Sequence, residues 1–322
     1  METIEKRIQE VIGDREHGSR WLVKEALTIL HDIADSTTQA GHEKNDQTDE
    51  QQLQQVICNA AQIAHARPAM AALSSAMGQV VSVHEEGLEA MKNEAQRLLE
   101  EYETATEKLA QYAQPLLAGQ IMTCSISGTI LDVFRALHTQ IERVIVLEGR
   151  PRYEGVNAAQ AFSEMGIPVT LITDAQADIF LPACQSVVVG ADSILVNGDV
   201  LNKAGTALIA WAAHGHTIPF YVLCETLKIS YQRWHEHDPQ RRASNLQLLE
   251  EKEPQEVLEQ PPAGVNVRNF YFDHTPYRLV TDIITEQGPL SRREIRERAV
   301  TTRTQQHLLA RLEKKYHSYS GT

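Results

Sequence analysis

The stretch of residues 186–216, SVVVGADSILVNGDVLNKAGTALIAWAAHGH, determines the predicted fold. It opens with the apolar run 187–189, which ends at glycine and is typical of a strand buried on both faces of a parallel sheet. A turn signal follows at 197–199, and a helix pattern with a polar start runs over 207–213. The pattern places Asp192 at the carboxyl end of the strand, where open α/β sheets bind ligands.

Asn202 and Lys203 stand just ahead of the predicted helix. An amide and an ammonium group beside a helix N-terminus suit an anion. Together with the carboxylate of Asp192, they predict a polar, phosphorylated ligand. The alternative interpretation is that Asp192 caps a turn and Lys203 is a solvated charge, because short motifs also occur by chance.

The composition of the 322 residues bounds the class of protein. A hydrophobic content of 42% with 6% aromatic residues fits a globular protein with an aliphatic core, and the length predicts two domains. The formal charge of −13 argues against a nucleic-acid partner and against an anionic membrane. The first residues lack the apolar core of a signal peptide and no stretch is long enough to span a membrane, so we expect a cytoplasmic protein.

The cysteines do not form a recognisable ligand set. They are scattered, without a CxxC pair or a histidine at zinc spacing, and are expected to be reduced thiols in or near the core. We therefore expect no metal and no cofactor. The cysteines are Cys58, Cys124, Cys184 and Cys224.

The rhythm of apolar residues divides the chain. Residues 1–117 carry helical periodicity with a polar connection at 36–53, which predicts a helical N-terminal domain. Over 118–290 short apolar runs alternate with helical patterns, which predicts an α/β fold with a Rossmann-like parallel sheet, interrupted by a polar insertion at 233–264. Residues 291–322 form a charged tail with a helical pattern. The predicted strands are 120–123, 144–147, 169–172, 187–189, 220–223 and 267–272.

Polar residues follow each of the first five predicted strands. The first strand leads into Cys124 and Ser125, the second into Arg150, the third into Gln176 and the fourth into Asp192. Because the carboxyl ends of parallel strands meet at one edge of a sheet, we expect these side chains to line a ligand site suited to phosphate. Each end alone also fits ordinary turn chemistry, and it is their coincidence that favours a site.

Two features of the helical domain could add to this site. His17, Gly18 and Ser19 lie just before a helix, where backbone N–H groups can face an anion. Arg67 precedes a proline at the end of an apolar helix. The alternative interpretations are a helix cap and a helix stop.

Three segments carry a resemblance to a known family: GADSILVNGDVLNKAGT, LEGRPRYEG and FDHTPYRLVTDIITEQG. They resemble the superfamily that contains the alpha, beta and delta subunits of translation initiation factor 2B, ribose-1,5-bisphosphate isomerase and methylthioribose-1-phosphate isomerase. The resemblance covers roughly residues 14–288. It implies a helical N-terminal domain on a Rossmann-like domain, and usually a homodimer or a higher homo-oligomer.

The resemblance also implies roles for particular residues. Asp192 matches an acid–base aspartate of the isomerases, Asn202 and Lys203 match a substrate-holding pair, and Arg67 matches a phosphate-contacting arginine. The isomerases' Arg-Gly-Ala phosphate loop is matched by 17–19, where histidine replaces the permanent charge.

The catalytic cysteine of the isomerases does not match directly. Their pattern reads Thr-His-Cys, and this chain reads Thr123-Cys124-Ser125, so that Ser125 takes the place of the cysteine and Cys124 that of the histidine. A serine hydroxyl is a far weaker acid than a thiol, whose reference pKa is about 8.5. Simple replacement should therefore impair proton transfer, with Cys124 or Ser125 as the partner of Asp192.

Two functions follow from the resemblance. The first is an aldose–ketose isomerase that acts on an aldose 1-phosphate such as ribose-1,5-bisphosphate. The second is a non-catalytic regulatory subunit, similar to initiation factor 2B, that senses a phosphorylated sugar or a nucleotide. The retained Asp192, Asn202 and Lys203 favour the first, and the displaced cysteine and His17 favour the second. RNA binding by the basic stretch 292–298 is disfavoured by the acidic balance of the chain.

Overall fold

The computed structural model describes residues 3–14, 17–39, 46–236 and 238–317. Contacts within the chain divide these residues into two compact units. Unit 1 comprises the described parts of Met1–Thr104, Leu227–Tyr231 and Arg296–Thr322, and unit 2 comprises those of Ala105–Thr226 and Gln232–Ile295.

The first part of the chain is helical, as predicted. Its helices bury apolar stripes at helical spacing; Leu22, Ala26 and Leu30, for example, are fully or almost fully buried. The predicted polar connection at 36–53 is wrong at both ends, because residues 36–39 are helical and the next helix begins at Asp46. Residues 40–45 lie outside the described residues. The helices are α1 (Ile4–Gly13), α2 (Ser19–Gln39), α3 (Asp46–His65), α4 (Ala71–Ser82) and α5 (Leu88–Ala113).

Unit 2 contains a seven-stranded sheet with helices between its strands. The strands are β1 (Gly119–Cys124), β2 (Ile141–Leu147), β3 (Val169–Ile172), β4 (Ser186–Val189), β5 (Ser193–Ile194), β6 (Val200–Lys203), β7 (Phe220–Leu223), β8 (Glu251–Lys252), β9 (Asn269–Phe270), β10 (Phe272–Thr275), β11 (Asp282–Thr285) and β12 (Gly288–Pro289). The remaining helices are α6 (Gly128–Ala136), α7 (Glu154–Glu164), α8 (Ala177–Phe180), α9 (Thr206–Gly215), α10 (Arg242–Gln247) and α11 (Arg292–His317).

The main sheet is parallel apart from one edge. Its order is β12-β11-β7-β4-β1-β2-β3, and only the pairing of β11 with β12 is antiparallel. Strand β4 is buried along its whole length, with Val187, Val188 and Val189 at 0% exposure. Phe134 on α6 and Phe162 on α7 pack 5.2 Å apart, ring centroid to ring centroid, within the core of this unit. The predicted α/β class with a parallel sheet is confirmed.

The last predicted strand, 267–272, is wrong. That segment contributes to β9 and β10, which belong to two small antiparallel sheets, and β11 completes the main sheet beside β7. The second small sheet has the order β10-β6-β5. Asn202 and Lys203 stand ahead of α9, as predicted, but they lie on strand β6, which the sequence did not predict. Strands of two to four residues are too short to be distinguished by periodicity alone.

The C-terminal helix α11 is long and charged. Its residues 296–317 are counted with unit 1, and 318–322 lie outside the described residues. Among the described residues, no helix combines the length and the apolar character that a membrane span requires.

Candidate functional site

Cys124, the last residue of β1, is a buried thiol. Its Sγ lies 3.4 Å from Oγ1 of Thr206, and that hydroxyl also donates to the carbonyl oxygen of Lys203 at 2.7 Å. Because a threonine hydroxyl has a single proton to donate, the Cys124 thiol must be the donor in the first contact. Burial raises the pKa of Cys124 to about 12. The thiol is therefore neutral near pH 7, and the thiolate that could accept a proton is not formed there.

Ser125 is held in a different environment from its neighbour. Its backbone is left-handed, with φ of 63°, and its Oγ donates to Oε2 of Glu154 at 2.7 Å. The other carboxylate oxygen, Oε1, accepts from Nζ of Lys203 at 2.9 Å. We call Ser125, Glu154 and Lys203 the Glu154 cluster. The Lys203 and Glu154 side chains are 19% and 24% exposed, so a ligand can reach them.

Glu154 is a residue that the sequence analysis missed. It is the first residue of α7, and its position is fixed by the close approach of that helix to the end of β2. A Cβ on Gly155 would lie 1.7 Å from the carbonyl oxygen of Leu147, which leaves room only for glycine. The signals available in the sequence were Gly155 and the segment LEGRPRYEG, which ends in Glu154 and Gly155.

Lys203 is supported by aromatic rings as well as by Glu154. Its Nζ lies 4.7 Å from the ring centroid of Tyr271 and 5.4 Å from that of Phe272. Strand β10 pairs with β6 and sets Phe272 opposite Lys203. The rings and the carboxylate together hold the ammonium group at the sheet edge.

Asp192 follows β4 and lies beside β6. Its backbone N–H donates to the carbonyl oxygen of Leu201 at 2.9 Å, and Ser193 is paired with Leu201 in the same small sheet. This pairing places Asp192, which is half-buried, next to Asn202. Asn202 is buried and donates from Nδ2 to Oγ1 of Thr206 at 2.9 Å. The structure thus brings Asp192, Asn202 and Lys203 to one edge of unit 2.

The N-terminus of α9 is occupied by the protein's own carboxylate. Oδ2 of Asp273 accepts from the backbone N–H of Gly205 at 2.8 Å and from that of Ala207 at 3.0 Å. The expectation that this helix start faces a ligand anion is therefore wrong, because a distant strand supplies the anion. Oδ1 of Asp273 is buried and has no hydrogen-bond partner among the described residues. Burial, against the opposing effect of the two N–H groups, raises the pKa of Asp273 to about 7.

This carboxylate predicts a pH-dependent stability. Asp273 binds its proton more tightly in the folded chain, with a pKa of about 7, than at its ordinary value of 3.8. Its contribution to stability is therefore fully present below about pH 4 and is lost as the pH rises toward pH 7. The free energy of unfolding of Asp273→Asn should not show this loss. We therefore expect it to rise by about 2 kcal/mol relative to that of the wild type as the pH increases from about 5 to about 8. Urea unfolding at the two pH values measures the change. Asp132→Asn, on the exposed face of α6, is the control, and a difference that does not vary with pH contradicts the prediction.

The side chain of Arg150 makes its hydrogen bonds with residues outside the Glu154 cluster. The guanidinium of Arg150 donates to Oη of Tyr153 at 2.8 Å and to the carbonyl oxygen of Val257 at 2.9 Å. Asp174 holds the loop by accepting from the N–H groups of Gly149 and Arg150, each at 2.9 Å. Gln176 is exposed on a short 3-10 turn after β3. Through Val257, the guanidinium of Arg150 contacts the polar insertion.

The candidate residues of unit 1 gather around Asp14. Its carboxylate accepts from the backbone N–H of His17 at 2.8 Å and lies 2.7 Å from Nδ1 of that ring, while its carbonyl oxygen accepts from the buried guanidinium of Arg67. Helix α2 begins at Ser19, and the Gly18 carbonyl accepts its first hydrogen bonds. The segment before α2 and Arg67 are therefore neighbours in unit 1. Residues 15 and 16 lie outside the described residues.

Several known proteins are similar to this chain in sequence. A Pyrococcus horikoshii protein named translation initiation factor eIF-2B subunit 2-like is 30% identical over 286 residues, which are 87% of this chain and 94% of that protein. The ribose 1,5-bisphosphate isomerase of Archaeoglobus fulgidus is 34% identical over 234 residues, which are 70% and 72% of the two chains.

A solved structure has a similar fold. The crystal structure of the Pyrococcus horikoshii translation initiation factor eIF-2B superposes with a TM-score of 0.72 at 29% identity, covering 90% of this chain and 97% of that one. The model of the initiation factor 2 subunit family matches residues 15–292. With a match over most of its length and a shared fold, this chain belongs to the initiation factor 2 subunit family.

Proposed function

We propose that this protein is an aldose–ketose isomerase that acts on an aldose 1-phosphate such as ribose-1,5-bisphosphate. The observation that carries the proposal is the arrangement at the edge of unit 2. There Lys203, paired with the partly exposed Glu154, shares strand β6 with Asn202, and the pairing of β5 with β6 sets Asp192 beside Asn202. Two carboxylates lie after parallel strands, Glu154 after β2 and Asp192 after β4, and β6 adds an amide and a cation. This set of groups suits a sugar phosphate.

The chemistry needs two proton transfers. When a cyclic aldose 1-phosphate becomes a ketose phosphate, the bond from C1 to the ring oxygen breaks and the hydrogen of C2 moves to C1. The ring oxygen must gain a proton and the C2 hydroxyl must lose one, so one acid and one base are required. Asp192 is proposed as one of these groups, in line with its match to the isomerases' aspartate.

The ligand contacts are proposed from the same reasoning. Lys203 and Asn202 would bind the sugar and its phosphate in unit 2. Within unit 1, Arg67 and the segment that contains His17, Gly18 and Ser19 are proposed as a separate phosphate contact, with the guanidinium of Arg67 as its cation. The similarity to the Archaeoglobus isomerase supports this substrate class. A homodimer or a higher homo-oligomer is proposed as the working form.

Phosphorus NMR of the purified protein tests the isomerase directly. The protein is incubated separately with ribose-1,5-bisphosphate and methylthioribose-1-phosphate, and a ketose-phosphate resonance is expected to grow with at least one of them. A heat-denatured sample and a mock purification are the controls for spontaneous reaction and for contaminating enzymes. Substrate that binds, as shown by line broadening, and yet stays unconverted speaks against the isomerase.

A second candidate is a non-catalytic subunit that senses the same ligand. It is favoured by the state of Cys124, whose thiol is buried and bonded to Thr206, and by the serine at the position that the isomerases give to cysteine. The Pyrococcus horikoshii relative, which is named as a translation initiation factor eIF-2B subunit 2-like protein rather than as an isomerase, also supports this candidate. This candidate predicts ligand binding without turnover and co-purification with a different protein. Isolation as a lone homo-oligomer that converts the sugar phosphate would exclude it.

A further inference from the structure

We propose that Glu154 is the proton acceptor that works with Asp192 in this chain. The inference rests on the proposed isomerase function. It names the group that would exchange a proton with the substrate where the isomerases use a cysteine and this chain has Ser125. The observation behind it is the position of the Glu154 carboxylate, which is bonded both to Ser125, just after β1, and to Lys203, the last residue of β6.

The backbone around Glu154 is held rigidly. Tyr153, just before it, has a left-handed φ of 56° and donates its N–H to the carbonyl oxygen of Gly149 at 2.8 Å. Gly155, just after it, donates to the carbonyl oxygen of Glu148 at 3.1 Å and is pressed against the end of β2. The carboxylate is therefore presented from a fixed point rather than from a free loop, as a catalytic group requires.

The carboxylate still has room to accept a proton. Each oxygen accepts one hydrogen bond, from Ser125 Oγ at 2.7 Å and from Lys203 Nζ at 2.9 Å. A carboxylate has about four lone-pair positions, so positions remain on both oxygens. The charged groups that face it are Lys203 from β6 and Arg152 from its own loop.

The alternatives to Glu154 at this place are weaker. The Cys124 thiol is turned into the protein toward Thr206, and burial makes it reluctant to ionise. The Ser125 hydroxyl is too weak an acid to exchange protons unaided. The carboxylate of Glu154, which accepts a hydrogen bond from that hydroxyl, is a proton acceptor beside the position where the isomerases have a thiol.

The proposed step is balanced without a further reactant. Asp192 gives a proton to the ring oxygen as the bond from C1 to that oxygen breaks. The C2–H bond breaks and a C1–H bond forms with the same electron pair, so C2 is oxidised and C1 is reduced. The proton of the C2 hydroxyl passes to Glu154 as the C2 carbonyl forms. Exchange with water then returns both carboxyl groups to their starting states.

Glu154→Gln tests the role, because it keeps the size of the side chain and an acceptor oxygen but cannot take up a proton. We expect kcat to fall at least about 100-fold with KM within about threefold of the wild-type value. The fall in kcat/KM on the acid side of the wild-type pH profile should disappear. Glu154→Asp should retain that acid limb at reduced kcat. Glu164→Gln, on the exposed far end of α7, is the matched control and should behave as wild type.

Each outcome distinguishes this proposal from the one on which it rests. A Glu154→Gln protein with wild-type kcat and an unchanged acid limb overturns the role of Glu154 and leaves the isomerase in place. A rise in KM alone would mean that Glu154 only holds Lys203, which also overturns it. A wild-type protein that converts no sugar phosphate overturns the isomerase and this role together.

Discussion

Turnover of the sugar phosphate is expected to fall by about 1,000-fold or more in Asp192→Asn, with little change in substrate binding. The substitution is isosteric and leaves the backbone hydrogen bond from residue 192 to Leu201 unchanged, so the fold should persist. What it removes is a group able to give up or accept a proton. The prediction rests on the proposed isomerase function and on the place of Asp192 beside Asn202.

The measurement is the initial rate of ketose-phosphate formation by phosphorus NMR, with the substrate dissociation constant determined by calorimetry. Asp132→Asn makes the same change of charge on the exposed surface of α6 and should keep the wild-type rate. If the Asp192 variant retains more than about a tenth of the wild-type rate, Asp192 is not an acid–base group. Loss of binding together with turnover would assign it to ligand contact instead.

Gly155→Ala is expected to destabilise the protein by more than about 3 kcal/mol. The added Cβ would lie 1.7 Å from the carbonyl oxygen of Leu147 and 2.8 Å from its carbon. These are backbone atoms of β2, which is paired on both sides with β1 and β3, so neither the strand nor the helix can move away without losing hydrogen bonds. Any relaxation that does occur must displace the start of α7 and with it Glu154.

Urea unfolding followed by circular dichroism measures this effect. Gly215→Ala is the matched control, since an added Cβ at that end of α9 meets no atom within 4 Å, and it should change the free energy of unfolding by less than about 1 kcal/mol. Equal stability of the two variants would mean that α7 does not approach β2 as closely as the structure has it.

Much of the fold was predictable because it is encoded by local patterns. The runs at 169–172 and 220–223 are strands with those bounds, and Val187–Val189 lies within β4. The carboxyl ends of these strands were identifiable too, because each apolar run stops where polar residues or glycine begin. The small antiparallel strands were not, since β5 and β6 depend on partners rather than on a periodicity of their own.

The chemistry of the site was only partly predictable. Asp192, Asn202 and Lys203 stand close together in the sequence and were identified there, but the pairing of β5 with β6 is what brings Asp192 beside Asn202. Ser125 and Glu154 are 29 residues apart, and Glu154 and Lys203 are 49 apart. No local pattern relates residues at such separations.

The sequence by itself determined the class of fold, the family and the strand ends at which polar residues collect. The tertiary structure decided which of those residues meet: Glu154 with Ser125 and Lys203, and Asp273 with the start of α9 in the place expected for a ligand. The physical reason is that hydrophobic periodicity is a property of neighbouring residues, whereas hydrogen bonds and ion pairs between elements depend on strand order and register. These are fixed only when the whole sheet has formed.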